Sequence, residues 1–133
     1  MAYIGVDLGG TNIAVGVVSD DAKIITQASV PTLPQRSVEE ITDDISELCS
    51  LLVKGTGMSM DDIDIIGVGC PGTINHKTGT VIYSNNLQMK NVPLREILKN
   101  KIGKPVNVEN DADAAALGEY LVNGKHAESF VFI

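Results

Sequence analysis

At 133 residues with 44% apolar side chains, the chain can bury the core of one ordinary domain, and this composition excludes a disordered polypeptide. A net charge of −7, with no basic cluster to offset it, argues against a nucleic acid or an anionic membrane surface as partner. No apolar run reaches membrane-spanning length, and no basic segment followed by a signal-type apolar core opens the chain.

Three strands are expected first, at about 3–9, 12–19 and 23–31, with Asp20-Asp21 marking the second turn. Ser37-Val38-Glu39-Glu40 has the spacing of a capping box, and Ile41, Ile45, Leu48 and Leu52 follow at helical intervals. That helix should stop near Gly55 or Gly57. Ser59 caps one short turn before an apolar run at 63–69, which reads as a central parallel strand buried on both faces. A hairpin follows over 71–83, with its tip near Lys77-Thr78-Gly79.

Pro93 suits the first turn of a helix through Ile102, with Leu94, Ile97, Leu98 and Ile102 inward and Gly103 at its end. Lys99, Lys101 and Lys104 are scattered over that end and read as a solvated surface. A short strand at 106–109 leads to Asn110, which caps an Ala-rich helix ending near Asn123-Gly124. The last residues, Ser129-Phe-Val-Phe-Ile133, have strand character and no cap, so the sequence is expected to be the front part of a longer protein. The order of elements gives a mixed sheet with helices on its faces. Cys49 and Cys70 lack metal-ligand spacing and are expected to be reduced core thiols of a cytoplasmic protein. His76 and His126 read as exposed loop residues.

Asp7-Leu8-Gly9-Gly10-Thr11-Asn12 lies where the first strand breaks into a tight turn. Its glycines let the backbone approach a ligand, and successive N–H groups in such a turn form an anion-binding concavity to which the Thr11 hydroxyl adds a donor. An Asp beside bound phosphate implies a divalent cation between them, hence a Mg²⁺–nucleotide. A glycine hairpin with an Asx cap accounts for the same residues without any ligand.

Glu109-Asn110-Asp111-Ala112-Asp113 forms a second cluster, where a strand hands over to a helix. Asn110 as N-cap, with Asp111 and Asp113 opposing the helix dipole, explains it structurally at roughly 0.3–1 kcal/mol per interaction. The functional alternative uses Asp111 as a base for a substrate hydroxyl and Asn110 as an amide reading its neighbour. Asn85-Asn86 places two amides in a loop. Gly67-Val68-Gly69-Cys70-Pro71-Gly72 matches the dinucleotide glycine pattern, but it leads into a hairpin rather than a helix, and that reading is rejected.

Taken together, Ile4-Gly-Val-Asp-Leu-Gly-Gly-Thr-Asn12, Gly67-Val-Gly-Cys-Pro-Gly72, Tyr83-Ser-Asn-Asn-Leu87, Asn91-Val-Pro-Leu94 and Val108-Glu-Asn-Asp-Ala-Asp-Ala-Ala-Ala-Leu-Gly-Glu119 resemble, in order, the N-terminal lobe of a ROK-family sugar kinase of the bacterial glucokinase type. The resemblance spans residues 1–133 and implies the actin-like ATPase (ribonuclease H-like) fold, an α/β lobe whose sheet opens with three antiparallel strands and carries helices on both faces. It implies phosphorylation of a hexose by ATP with Mg²⁺, glucose to glucose 6-phosphate foremost, in a cytoplasmic enzyme that is a homodimer or tetramer at full length.

By position, Asp111 resembles the catalytic base, Asn110 and Asn86 sugar-hydroxyl ligands, and Gly72 a sugar-facing turn. Asp7 resembles the residue orienting Mg²⁺ through water, and Gly9, Gly10, Thr11 and Asn12 the phosphate-contacting turn. Zinc belongs, by the same resemblance, to an absent C-terminal half, and the isolated lobe is expected to be inactive.

Two departures from the family pattern are Asp113, where Asn is common, and Gln88-Met89-Lys90, in a loop expected near the sugar entrance. The alternative within the family is a sugar-responsive transcriptional regulator. Such proteins carry a helix-turn-helix ahead of this lobe, and with Met1 two residues before the first strand none is expected here.

Overall fold

The structure is a computed structural model that describes residues 2–111; the expected Ala-rich helix, the strand at 129–133, Asp113 and His126 lie outside the described residues. Among the described residues the elements are eight strands and two α-helices: β1 (Ala2–Leu8), β2 (Asn12–Ser19), β3 (Ile24–Pro31), α1 (Val38–Gly55), β4 (Ile63–Cys70), β5 (Thr73–Asn75), β6 (Thr80–Ser84), β7 (Met89–Val92), α2 (Leu94–Ile102) and β8 (Val106–Asn110). A single 3-10 turn, Met60–Asp62, precedes β4.

The main sheet has the order β3-β2-β1-β4-β8, with β1, β4 and β8 parallel and the first hairpins antiparallel. Its register explains where the core lies. Val15, Val6, Val68 and Val108 form one row across four strands, and Val17, Ile4, Ile66 and Val106 form the next. Every one of these side chains is buried. Period-two alternation therefore puts these eight side chains on one face of the sheet. On the other face, at Gly67 and Asp64, β4 is exposed, so the central strand is parallel as expected without being buried along its whole length.

Both described helices are in contact with one another beside that sheet. Helix α1 starts at a complete capping box: Glu40 N–H donates to Ser37 Oγ at 3.1 Å, and Ser37 N–H donates to Glu40 Oε1 at 3.3 Å. It buries Ile41, Ile45, Leu48, Cys49 and Val53, and ends at Thr56, after which Gly57 takes φ 82°. Helix α2 buries Leu94 and Leu98 and ends at Gly103 in the left-handed region. Lys101 is not part of a solvated surface. Its ammonium lies 2.6 Å from both Glu39 and Asp43 of α1, with the side chain only 16% exposed, and ties the two helices together.

A second, three-stranded sheet, β5-β6-β7, projects from the end of β4. Its hairpin tip is fixed by α2: Arg95 donates to Lys77 O at 2.6 Å and Arg95 N–H to Gly79 O at 3.1 Å. Strand β7 was not anticipated. Gln88 and Asn91 adopt positive φ around it, and Met89 and Leu87 are buried in the core. The Gln88-Met89-Lys90 departure is therefore a positive-φ turn leading into the edge strand β7, with Met89 buried and Gln88 and Lys90 exposed. No helix among the described residues is long and apolar enough to cross a membrane.

Candidate active site at the carboxyl edge of the sheet

Strands β1, β4 and β8 are parallel, so their carboxyl ends share one edge. One row there runs Ser29, Ala14, Asp7, Gly69, Glu109 across all five strands. Asp7 thus points from the face opposite the apolar rows, flanked by Ala14 and Gly69, whose small size leaves space around its carboxylate. Gly67 and Gly69 have a role quite different from a dinucleotide turn: Gly67 pairs with Gly5 and Gly69 with Asp7, thinning the sheet surface beside the carboxylate. Strand β4 leads into β5 and no helix starts in the glycine turn, as the sequence indicated.

A groove of about 540 Å³ opens over this surface, lined by Asp7, the turn Gly9, Gly10, Thr11 and Asn12, and residues of β2 and β3 including Gln27 and Ser29. Gly9 N–H donates to Asn12 O at 2.9 Å. Gly9 O instead accepts from the Thr32 hydroxyl at 2.6 Å, and Thr11 O accepts from Thr32 N–H at 2.9 Å. Among the described residues, the N–H groups of Gly10, Thr11 and Asn12 close no backbone hydrogen bond within the turn. Carbonyls to the rear and donors in front make a concavity suited to phosphate oxygens.

The acidic pair meets at the same edge. Burial, then the charge of Asp111, pushes the Asp7 carboxyl up to about 6, and burial also raises Asp111. Cys70, between them on β4, is held as a thiol with its pKa pushed up to about 12 by burial and by both carboxylates. Asp111 Oδ1 is buried and has no hydrogen-bond partner among the described residues. Such an acceptor is costly to leave unsatisfied unless a ligand supplies the donor.

Among the described residues no group of three or more His, Cys, Asp or Glu side chains is placed to hold a metal ion. A cation here would have at most a carboxylate or two from the described residues, with water and phosphate completing its shell. That is the usual mode of Mg²⁺, and it would relieve the repulsion that raises Asp7.

The remaining candidates close the site. Asn110 Nδ2 donates to Gly72 O at 2.9 Å, joining the end of β8 to the turn after β4. Gly72 has φ 112°, and a Cβ there would overlap Tyr83 O and crowd Ser84, so only glycine fits. Asn86 packs against the phosphate turn: a Cβ on Gly10 would lie 3.0 Å from Asn86 Cβ and 3.1 Å from Asn86 O. Its loop is held by Leu87 N–H donating to Ser84 Oγ at 3.3 Å. All nine candidate residues therefore gather at one edge through direct contacts, shared groove lining or electrostatic coupling. The sequence missed Thr32, a lone hydroxyl in a stretch that carries no motif, and gave Ser84 no role of its own within the 83–87 motif.

The fold is that of the actin-like ATPases, a βββαβαβ sheet, with a glycine turn after the first strand and an acidic strand end at the same edge. The ROK family profile matches residues 3–133, and the chain belongs to that family. It is 40% identical over 121 residues to the glucokinase of Streptomyces coelicolor, covering 91% of this chain and 36% of that enzyme. Its structure is similar to that of a ROK family glucokinase from Streptomyces griseus in complex with glucose and AMPPNP, with a TM-score of 0.80 and 37% identity over 94% of this chain and 38% of the other. It is also 34% identical over 118 residues to the xylose repressor of Caldicellulosiruptor bescii, covering 89% of this chain and 30% of that protein. The chain thus spans little more than a third of the length of the glucokinases it matches.

Proposed function

We propose that this chain is the N-terminal lobe of an ATP-dependent hexose kinase whose substrate is glucose. The observation that carries this is the buried, unpartnered Oδ1 of Asp111 at the same strand edge as Asp7 and the donor-rich turn. The Asp111 carboxylate accepts the proton of the sugar's 6-hydroxyl as that oxygen attacks the γ-phosphorus of ATP and the bond to the ADP oxygen breaks. Burial makes this carboxylate more basic than in water, which suits a general base. Asn110, fixed to Gly72, and Asn86, packed on the turn, hold neighbouring hydroxyls so that the attack is in line. The N–H groups of the 9–12 turn bind phosphate oxygens. When bound, Mg²⁺ would neutralise phosphate charge, with Asp7 orienting it through water.

Similarity to a glucokinase at 40% identity supports the kinase, and a glucokinase neighbour that holds glucose and AMPPNP supports the substrates. Similarity to a xylose repressor favours a second reading, a sugar-responsive regulator. The net charge of −7 on this segment places any DNA-binding surface of such a protein elsewhere. The test is a panel of hexoses with ATP and Mg²⁺, run on the full-length protein. Turnover, fastest with glucose, is the expected result. Sugar binding without phosphorylation of any hexose would leave the regulator.

A further inference from the structure

We propose that Thr32 is a positioning residue that keeps the phosphate turn open, a role that rests on the kinase reading above. A two-residue hairpin between β1 and β2 would normally close with a second bond, from Asn12 N–H to Gly9 O. That bond is absent among the described residues, because the Thr32 hydroxyl takes Gly9 O at 2.6 Å. Peptide bonds here are trans, so N–H and C=O of one unit point in opposite directions. Drawing Gly9 O back to Thr32 therefore aims Gly10 N–H forward, and holding Thr11 O on Thr32 N–H does the same for Asn12 N–H. A single residue from the end of β3 sets two of the three donors.

Thr32 is itself immobilised. Its side chain is fully buried, and its carbonyl accepts from Arg36 Nη2 at 2.7 Å. Arg36 is in turn paired with Asp44 of α1 at 2.9 Å. The sharp bend this requires shows as φ 51° at Leu33. The turn is thus braced against the core helix through a chain of three side chains, none of which touches a ligand site directly.

Thr32→Val keeps the shape of the side chain and removes the hydroxyl; Thr32→Ser keeps the hydroxyl. In the full-length protein, Thr32→Val should weaken Mg²⁺–ADP binding, read by calorimetry, about tenfold, the scale expected for one lost buried hydrogen bond. Glucose affinity should stay unchanged, and Thr32→Ser should recover binding to within about threefold of wild type. Backbone amide exchange at Asn12 should slow in Thr32→Val as the hairpin closes. Unaltered nucleotide affinity in Thr32→Val, or equal impairment in Thr32→Ser, overturns the proposal. The amide readout decides it even if the wild-type protein phosphorylates no hexose, an outcome that would remove the kinase reading alone: unchanged exchange at Asn12 sinks the role of Thr32, and slowed exchange sustains it.

Discussion

Asp7 and Asp111 lie 104 positions apart in sequence (111 − 7) yet are coupled across the end of β4: burial first, and then the charge of Asp111, raises the pKa of Asp7. Parallel pairing of β1, β4 and β8 brings them to one edge, and the small Gly69 between them does not screen them. Of the two, Asp7 takes up the repulsion and is the group that protonates as pH falls through about 6.

The consequence for stability has a definite sign. The folded-state pKa of Asp7 lies above its ordinary value of 3.8, so its favourable contribution is full below about pH 4 and is lost as pH rises through about 6. Without nucleotide or cation, Asp7→Asn should therefore stabilise the full-length protein at pH 7.5. A gain of about 1–2 kcal/mol is expected once the shift is discounted for solvent screening at a half-buried group. Urea unfolding at pH 4 and pH 7.5 checks this. The difference between variant and wild type should vanish at the lower pH.

Asp111→Asn removes the basic oxygen but keeps the shape and the hydrogen-bonding capacity of the side chain. Turnover in the full-length enzyme should fall by about 10²–10⁴-fold, the usual contribution of a positioned base. Glucose binding, followed by calorimetry, should persist, because Asn110 and Asn86 hold the sugar in the proposed site. Near-normal kcat in this variant would take Asp111 out of the chemistry.

Gly10→Ala tests the contact between the two halves of the site. The added methyl would lie 3.0 Å from Asn86 Cβ and 3.1 Å from Asn86 O, so either the turn or the loop that carries Asn86 must shift. Overpacking of this kind costs about 1–3 kcal/mol. Because the strain falls on both elements, KM for ATP and KM for hexose should rise together. Thr32→Val, in contrast, should affect the nucleotide alone.

How much of this was legible beforehand follows from the range of the forces involved. Capping at Ser37, the αL stop at Gly103 and the alternation in β1 and β2 depend on neighbours within a few residues, so the sequence displays them directly. The glycine turn and the Asn110-Asp111 pair stood out because few residue types serve phosphate and hydroxyl chemistry. Thr32 could not be seen, since its meaning comes from a bond to Gly9, 23 residues away. Lys101 looked like one of several surface cations until α1 and α2 were packed side by side. Strand β7 was hidden by its shortness, with Lys90 and Asn91 between Met89 and Val92, and by its dependence on pairing with β6.

Gly72 is the position where fold and function are hardest to separate. Its φ of 112° strains any other residue, and a Cβ would overlap Tyr83 O and approach Ser84 Cβ to 2.9 Å. Gly72→Ala should therefore destabilise the full-length protein by about 2–4 kcal/mol, from backbone strain and overpacking combined. The same change displaces Gly72 O, the acceptor that holds the Asn110 amide at 2.9 Å. Hexose affinity should consequently drop even at temperatures where the variant is fully folded, while Mg²⁺–ADP binding, which depends on the 9–12 turn, should be retained. Calorimetric titration of both ligands on the folded variant separates the two effects. Equal loss of both would mean that Gly72 serves the fold only.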